Sequence, residues 1–124
     1  MLLIVCTAMA AEAQKVEFKG GKVLVNDTAI LSYEKTTMRD EYSYRSLTTS
    51  DEILRISYVK NGYGGSTTVY FPQNFVNFES TTLFYGVDSR PIVKKLVKAG
   101  VLTRDGTVDY VKVQEFRKRY EIEE

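Results

Sequence analysis

The chain has 124 residues, with 17 basic and 16 acidic side chains, a formal net charge of +1, and no histidine or tryptophan. Bulk nucleic-acid binding needs a clear excess of basic residues, so this balance gives it no support. The absence of histidine removes the usual general base near neutral pH and the commonest zinc ligand. Composition therefore favours a small domain without a metal or cofactor.

The most apolar stretch of the chain is MLLIVCTAMAAEAQ, in which residues 1–11 carry no charge and Ala11-Glu12-Ala13 is followed by Gln14. Small residues at this spacing are typical of signal-peptidase cleavage sites, so we interpret residues 1–13 as an export signal. About ten apolar residues span only about 15 Å as a helix, half of a bilayer core. No basic residue precedes Lys15, so we expect the natural precursor to begin earlier. The alternative is a core strand or helix at the start of the fold.

Cys6 is the chain's one cysteine. A lipid-bearing cysteine follows a small residue at the end of an apolar run, whereas Cys6 follows Val5 inside it, so a lipid anchor is not favoured. Cleavage after Ala13 would leave a mature chain of residues 14–124 without any disulfide or thiolate nucleophile. We expect one domain in a periplasmic or secreted location.

Residues 16–80 consist of short apolar runs separated by turn residues, which is typical of antiparallel sheets. We predict a β-meander of five to six short strands, drawn from residues 16–18, 22–25, 29–35, 42–47, 52–59, 67–71 and, at the periphery, 75–78. Alternation predicts that Ala29, Leu31 and Tyr33 share one face, with Ile30, Ser32 and Glu34 on the other. By the same rule Leu54, Ile56 and Tyr58 share a face.

Beyond residue 88 the apolar period changes to about 3.6, which indicates helices. Asp88 or Ser89 can cap the first helix, Pro91 fits its first turn and Gly100 ends it. Its predicted apolar stripe is Ile92, Val93, Leu96 and Val97. A second helix begins at Thr107 or Asp109 and repeats apolar residues at Val113, Phe116 and Tyr120. The predicted fold class is α+β, with both amphipathic helices packed on one face of the sheet.

Three segments carry a family resemblance: AEAQ, the hairpin KVLVNDTAILSYEK, and the tail IVKKLVKAGVLTRDGTVDYVKVQEFRKRY. The chain resembles exported proteins of Bacteroidetes bacteria that have no assigned activity. The resemblance implies an envelope location. It also implies that Thr28, within Asp27-Thr28-Ala29, is a candidate site for the O-glycosylation found in these bacteria. The alternative is an unmodified turn.

Two features are candidate binding surfaces. The glycine-rich segment from Asn61 to Ser66 holds Tyr63 between glycines, where its ring can meet a partner or fold back over a sheet edge. Nine tyrosines include Tyr42, Tyr44, Tyr58 and Tyr70 on predicted strands. Such rings can form an exposed platform for peptide or sugar, or serve only to pair neighbouring strands.

Three functions remain in view. The leading hypothesis is a non-enzymatic interaction module of the cell envelope that binds a protein or a glycan. The second is a hydrolase or lyase that uses carboxylates and tyrosines alone, which requires an Asp or Glu buried beside a Tyr or Arg in a cleft. The third is a structural accessory tethered through residues 1–13. Peripheral membrane contact through Lys94, Lys95 and Lys98 is the less favoured interpretation, because such lysines usually form a solvated helix face.

Overall fold

The computed structural model describes residues 14–36, 40–62, 64–83 and 88–122. The predicted export signal, with Cys6, lies outside these ranges. The described residues form one β-sheet followed by two α-helices. Within these ranges no helix is long and apolar enough to cross a bilayer.

Seven strands form one antiparallel sheet in which spatial order follows chain order. They are β1 (Val16–Lys19), β2 (Lys22–Val25), β3 (Thr28–Lys35), β4 (Glu41–Ser46), β5 (Glu52–Asn61), β6 (Gly64–Phe71) and β7 (Val76–Ser80). The α+β meander is confirmed, but the predicted count of five to six strands is too low. All seven predicted segments form strands, including the two edge strands of four and five residues, whose short alternation makes them the weakest candidates.

Two tight turns fix the register of the first three strands. Gly20 and Gly21 have φ of 57° and 74°, and Asn26 and Asp27 have φ of 50° and 70°. Two successive residues with positive φ form the turn whose twist matches an antiparallel hairpin, and Gly, Asn and Asp tolerate it best. These turn residues explain why strands as short as β1 and β2 pair over their full length.

The β2–β3 pair is irregular, and this corrects the predicted alternation in β3. The register shifts between Val23 and Leu24, so Ile30 and Leu31 are both buried although they follow each other in the chain. Strict alternation would place Ile30 on the wet side. Ile30 is the extra residue at this shift. Its carbonyl lies against Gly106, where a Cβ would collide with it. A β-bulge of this kind cannot be recognised from an apolar pattern alone.

The sheet has one covered face and one polar face. Leu54 and Ile56 are fully buried and Tyr58 packs against the core, so their predicted common face is confirmed. Arg55 and Ser57 lie on the opposite face, as alternation requires. The polar face stays open to solvent in the part of the chain that the structure describes.

Two helices lie on the covered face: α1 (Arg90–Lys98) and α2 (Tyr110–Tyr120). The predicted stripe of α1 is confirmed, since all four members are buried: Ile92, Val93, Leu96 and Val97. Val113 and Phe116 of α2 are buried as well, and Phe116 contacts Phe78 of β7 at 6.4 Å between ring centroids. We call α1, α2 and the segment between them the helical layer.

Capping residues set the ends of both helices. Gly100, with φ of 80°, follows α1, and the Val101 amide donates to the Leu96 carbonyl at 2.9 Å. This is the hydrogen-bond pattern of a glycine-terminated helix. The Asp109 carboxylate accepts the Lys112 amide at 3.2 Å and caps α2. Gly100 and Asp109 thus perform the roles predicted for them.

We expect Leu96→Ala to lower the free energy of unfolding by about 2 to 5 kcal/mol, because Leu96 is fully buried and truncation leaves a cavity between helix and sheet. Urea denaturation measures this change. Lys94→Ala, on the exposed side of the same helix, is the control and should stay within about 0.5 kcal/mol. A loss below about 1 kcal/mol at Leu96 would contradict the packing described above.

Phe75 combines a left-handed backbone with an exposed ring. Its φ is 55° and its ψ 37°, directly after the short 3-10 turn Pro72–Asn74, and it is 90% exposed. Bulky side chains pay a steric penalty in this conformation, whereas Asn tolerates it. Because the ring is exposed, burial contributes little stability that could offset this penalty.

We therefore expect Phe75→Asn to raise the free energy of unfolding by about 0.5 to 1 kcal/mol. Thermal and urea denaturation measure the gain. Phe75→Ala, which removes the ring but keeps the steric penalty, should change stability little. A clear loss in the Asn variant would show that the ring is needed for packing.

Candidate functional site

The four tyrosines predicted on strands fall on opposite faces of the sheet. Tyr42 and Tyr44 lie on the covered face, and Tyr58 packs against the same core. Tyr70 lies on the polar face, directly opposite Arg55 in the register of β5 and β6. The four rings therefore do not form one continuous platform.

The other predicted positions lie at loops and turns. Asn61 is the last residue of β5 and pairs with Gly64, while Tyr63 lies outside the described residues. Thr28 is exposed as the first residue of β3 and directly follows the Asn26–Asp27 turn. Its modification by a sugar stays a prediction.

Tyr42 and Tyr44 belong to a larger group of rings that the sequence did not reveal. Tyr33 of β3 stacks on Tyr44 with ring centroids 5.6 Å apart, and Phe18 of β1 meets the edge of Tyr33 at 5.6 Å. Tyr42 approaches Tyr33 at 6.4 Å. We call Phe18, Tyr33, Tyr42 and Tyr44 the aromatic cluster. Only the cross-strand register, which pairs Tyr33 with Tyr44, brings these rings together.

Tyr44 is the fully buried member of the aromatic cluster. Its side chain is fully buried, and its hydroxyl forms a short hydrogen bond with the hydroxyl of Ser89, which is also fully buried. Burial raises the pKa of Tyr44, so the phenol stays neutral at any physiological pH. The remaining rings, Phe18, Tyr33 and Tyr42, are only partly buried and form the accessible part of the cluster.

The hydrogen bond between Tyr44 and Ser89 determines which residue caps the start of α1. The sequence predicts either Asp88 or Ser89 as the N-terminal cap of this helix. Ser89 makes no side-chain capping bond, because its hydroxyl faces Tyr44. Asp88 instead accepts the Arg90 amide at 3.0 Å. The helix start is thus shared by two neighbours, one bonded to the sheet and one to the helix backbone.

Charged side chains border the aromatic cluster. Asp88 accepts a 2.8 Å hydrogen bond from Arg90 Nε, and Lys35 Nζ lies 3.9 Å from Asp40 and 6.0 Å from the Tyr42 ring centroid. Burial disfavours the charged form of Asp88, but the hydrogen bonds from Arg90 outweigh it and lower the pKa of that carboxyl. Burial and the charge on Asp88 raise the pKa of Tyr42. Accessible rings therefore stand beside fixed charges of both signs.

A second polar group lies on the other face of the sheet. Glu52 accepts hydrogen bonds from Ser43 at 2.7 Å and from Arg55 at 2.6 Å and 3.0 Å. Glu41 lies 3.7 Å from Arg55, and the Arg55 guanidinium lies 5.5 Å from the Tyr70 ring centroid. Sequence reasoning missed this group because Glu52 and Arg55 are brought together by an irregularity between β4 and β5.

This polar group bears on the hypothesis of a carboxylate-dependent enzyme. Glu52 and Arg55 border an open depression of about 390 Å³, so a half-buried carboxylate does lie beside an arginine. Burial opposes ionisation of Glu52, but hydrogen bonds from Arg55 and Ser43 prevail and lower its pKa. A carboxylate held in this way is a poor proton donor and a weak base near neutral pH. The geometry therefore favours a structural role for this pair.

Comparisons with protein-family models, with curated proteins and with solved structures found no match for this chain. Among the described residues, no three acidic or sulfur-bearing side chains are grouped so that they could hold a metal ion. The aromatic cluster and its charged border therefore form the candidate site on their geometry alone.

We expect Tyr44→Phe to lower the free energy of unfolding by about 1 to 3 kcal/mol, because it leaves the buried Ser89 hydroxyl without its partner. Urea denaturation measures the loss. The double variant Tyr44→Phe with Ser89→Ala should be more stable than Tyr44→Phe alone, since neither polar group then remains unpaired. Tyr110→Phe, at a half-exposed ring, is the control. A double variant that is weaker than the single variant would contradict this account.

Proposed function

We propose that the protein is an exported, non-enzymatic binding module of the cell envelope, and that the aromatic cluster is where a protein partner binds. One observation carries the proposal: Phe18 and Tyr42 contact Tyr33, which stacks on the fully buried Tyr44, and this group stands beside the charged side chains of Arg90, Asp88 and Lys35. Tyrosine and arginine are the side chains most enriched among residues that dominate binding energy at protein interfaces.

Rigidity supports the same proposal. Binding costs free energy whenever flexible side chains must be ordered, and this cost falls if they are fixed beforehand. Tyr33 is held between Phe18 and Tyr44, and the Tyr44 hydroxyl is bonded to Ser89. A partner would meet a surface whose rings already have their bound arrangement.

Tyr70 offers a matched control on the opposite side of the sheet. It is also a half-buried strand tyrosine, but the Arg55 guanidinium lies over its ring. Replacement of Tyr70 also removes a partly buried strand tyrosine, but it leaves the aromatic cluster intact.

The test is a cross-linking pull-down from intact cell envelopes with the wild type, the Tyr33→Ser/Tyr42→Ser variant and the Tyr70→Ser variant at matched abundance. We expect the wild type and Tyr70→Ser to retain a common protein partner. The amount of this partner recovered with the double variant should be at least about tenfold lower. Thermal denaturation confirms that each variant is folded. Equal retention by all three proteins would contradict the proposed site. Binding only to an arrayed glycan, and to no protein, would identify a glycan as the ligand instead.

The exported location is supported by the uncharged run of residues 1–11 and by the Ala11-Glu12-Ala13 pattern that follows it. Intact mass of the same envelope protein tests it separately. A chain that begins at Gln14 is the expected result, whereas one that retains residues 1–13 would favour the tethered accessory.

A further inference from the structure

The helical layer is more basic than the rest of the chain. Residues 90–120, which form this layer, carry nine of the 17 basic side chains and three of the 16 acidic ones, while Asp88, Glu121, Glu123 and Glu124 flank it. The near-neutral total therefore conceals an uneven distribution of charge. The excess of positive charge lies on the layer that covers the sheet.

Three lysines of α1 contribute most clearly to this excess. Lys94, Lys95 and Lys98 are exposed, on the side of the helix away from its buried stripe. None of them forms an ion pair with a carboxylate in the described ranges. By contrast, Arg90 and Arg117 are paired with Asp88 and Glu121. The lysines of α1 thus present charge that the rest of the described chain does not neutralise.

Exposed apolar side chains lie beside the end of α1. The Asp109 amide donates to the Val101 carbonyl at 2.9 Å, and the Lys112 side chain lies against Gly100. These contacts place the first turn of α2 next to the last residues of α1. In that turn Tyr110 is 51% exposed and Val111 is 64% exposed.

Lysines on a helix face with exposed apolar side chains nearby are typical of proteins that attach to the surface of a bilayer. Apolar side chains enter the headgroup region, while each nearby lysine is attracted by anionic headgroups. Glu115 and Asp105 are also exposed on this layer. Glu115 is paired with Lys112 at 3.7 Å, whereas Asp105 keeps its negative charge and lies in the segment between the two helices, not on the lysine face of α1.

We propose that the solvent side of the helical layer, through Lys94, Lys95, Lys98, Tyr110 and Val111, binds an anionic lipid surface. An extended surface fits better than a single small anion, because the lysines follow one face of a helix and do not converge on a pocket. The lysine side chains are also long enough to reach headgroup phosphates while their stems stay near apolar surface.

The test is co-sedimentation with phosphatidylcholine vesicles that contain or lack phosphatidylglycerol. Two triple variants carry the same net charge: Lys94→Gln/Lys95→Gln/Lys98→Gln in α1, and Lys15→Gln/Lys19→Gln/Lys22→Gln at the edge of the sheet. We expect the wild type to bind only the anionic vesicles and the α1 variant to partition roughly 100-fold less. The sheet variant should bind like the wild type.

Val111→Ser tests the apolar contribution and should weaken vesicle binding without a change in net charge. An equal loss in both triple variants would show that only net charge matters, and would overturn the proposal. Failure of the wild type to bind the anionic vesicles would overturn it as well. So would complete release of the protein by inorganic phosphate added at the concentration of the lipid phosphate and at constant ionic strength. The Tyr33→Ser/Tyr42→Ser variant should still bind vesicles, which keeps this surface distinct from the proposed partner site.

Discussion

The hydrogen bond between Tyr44 and Ser89 joins the middle of the sheet to the start of the helical layer at a point closed to solvent. A buried hydroxyl without a partner costs free energy, so each of these two residues needs the other. Because Ser89 immediately precedes α1, the sheet determines where that helix begins. Because Tyr44 is held in place, Tyr33 has a fixed ring to stack on. One neutral hydrogen bond thus links the packing of two layers to the geometry of the candidate site.

The elements that depend on local chemistry could be predicted from the sequence. The buried stripe around Leu96 follows from a period of 3.6, and Gly100 and Asp109 act through backbone requirements that lie within a few residues of each. The inward face of β5 follows from alternation in the same way. In each of these cases the information that determines the structure is contained in one short segment.

The elements that depend on partners from distant segments could not be predicted. Phe18 and Tyr33 became candidate residues only once the register placed Tyr33 beside Tyr44 and Phe18 beside Tyr33, and a shift by one residue would send those rings to the other face. The irregularities in the sheet, which bury Ile30 and bring Glu52 to Arg55, have no signature in an apolar pattern. The sequence could thus identify tyrosines as candidates, but could not say which of them meet.

The two proposed surfaces can be occupied together, because α1 separates them. The aromatic cluster and Asp88 lie at the beginning of this helix, whereas Lys98 and the exposed Val111 lie at its end. The three lysines lie on the solvent side of α1, whereas Ser89, at its start, faces the sheet through its hydrogen bond to Tyr44. A protein that rests on lipid through the solvent side of the helical layer would therefore still leave the aromatic cluster open to a partner. On the polar face of the sheet, Arg55 is already matched by Glu52 and Glu41, so that face has little charge left to attract either ligand.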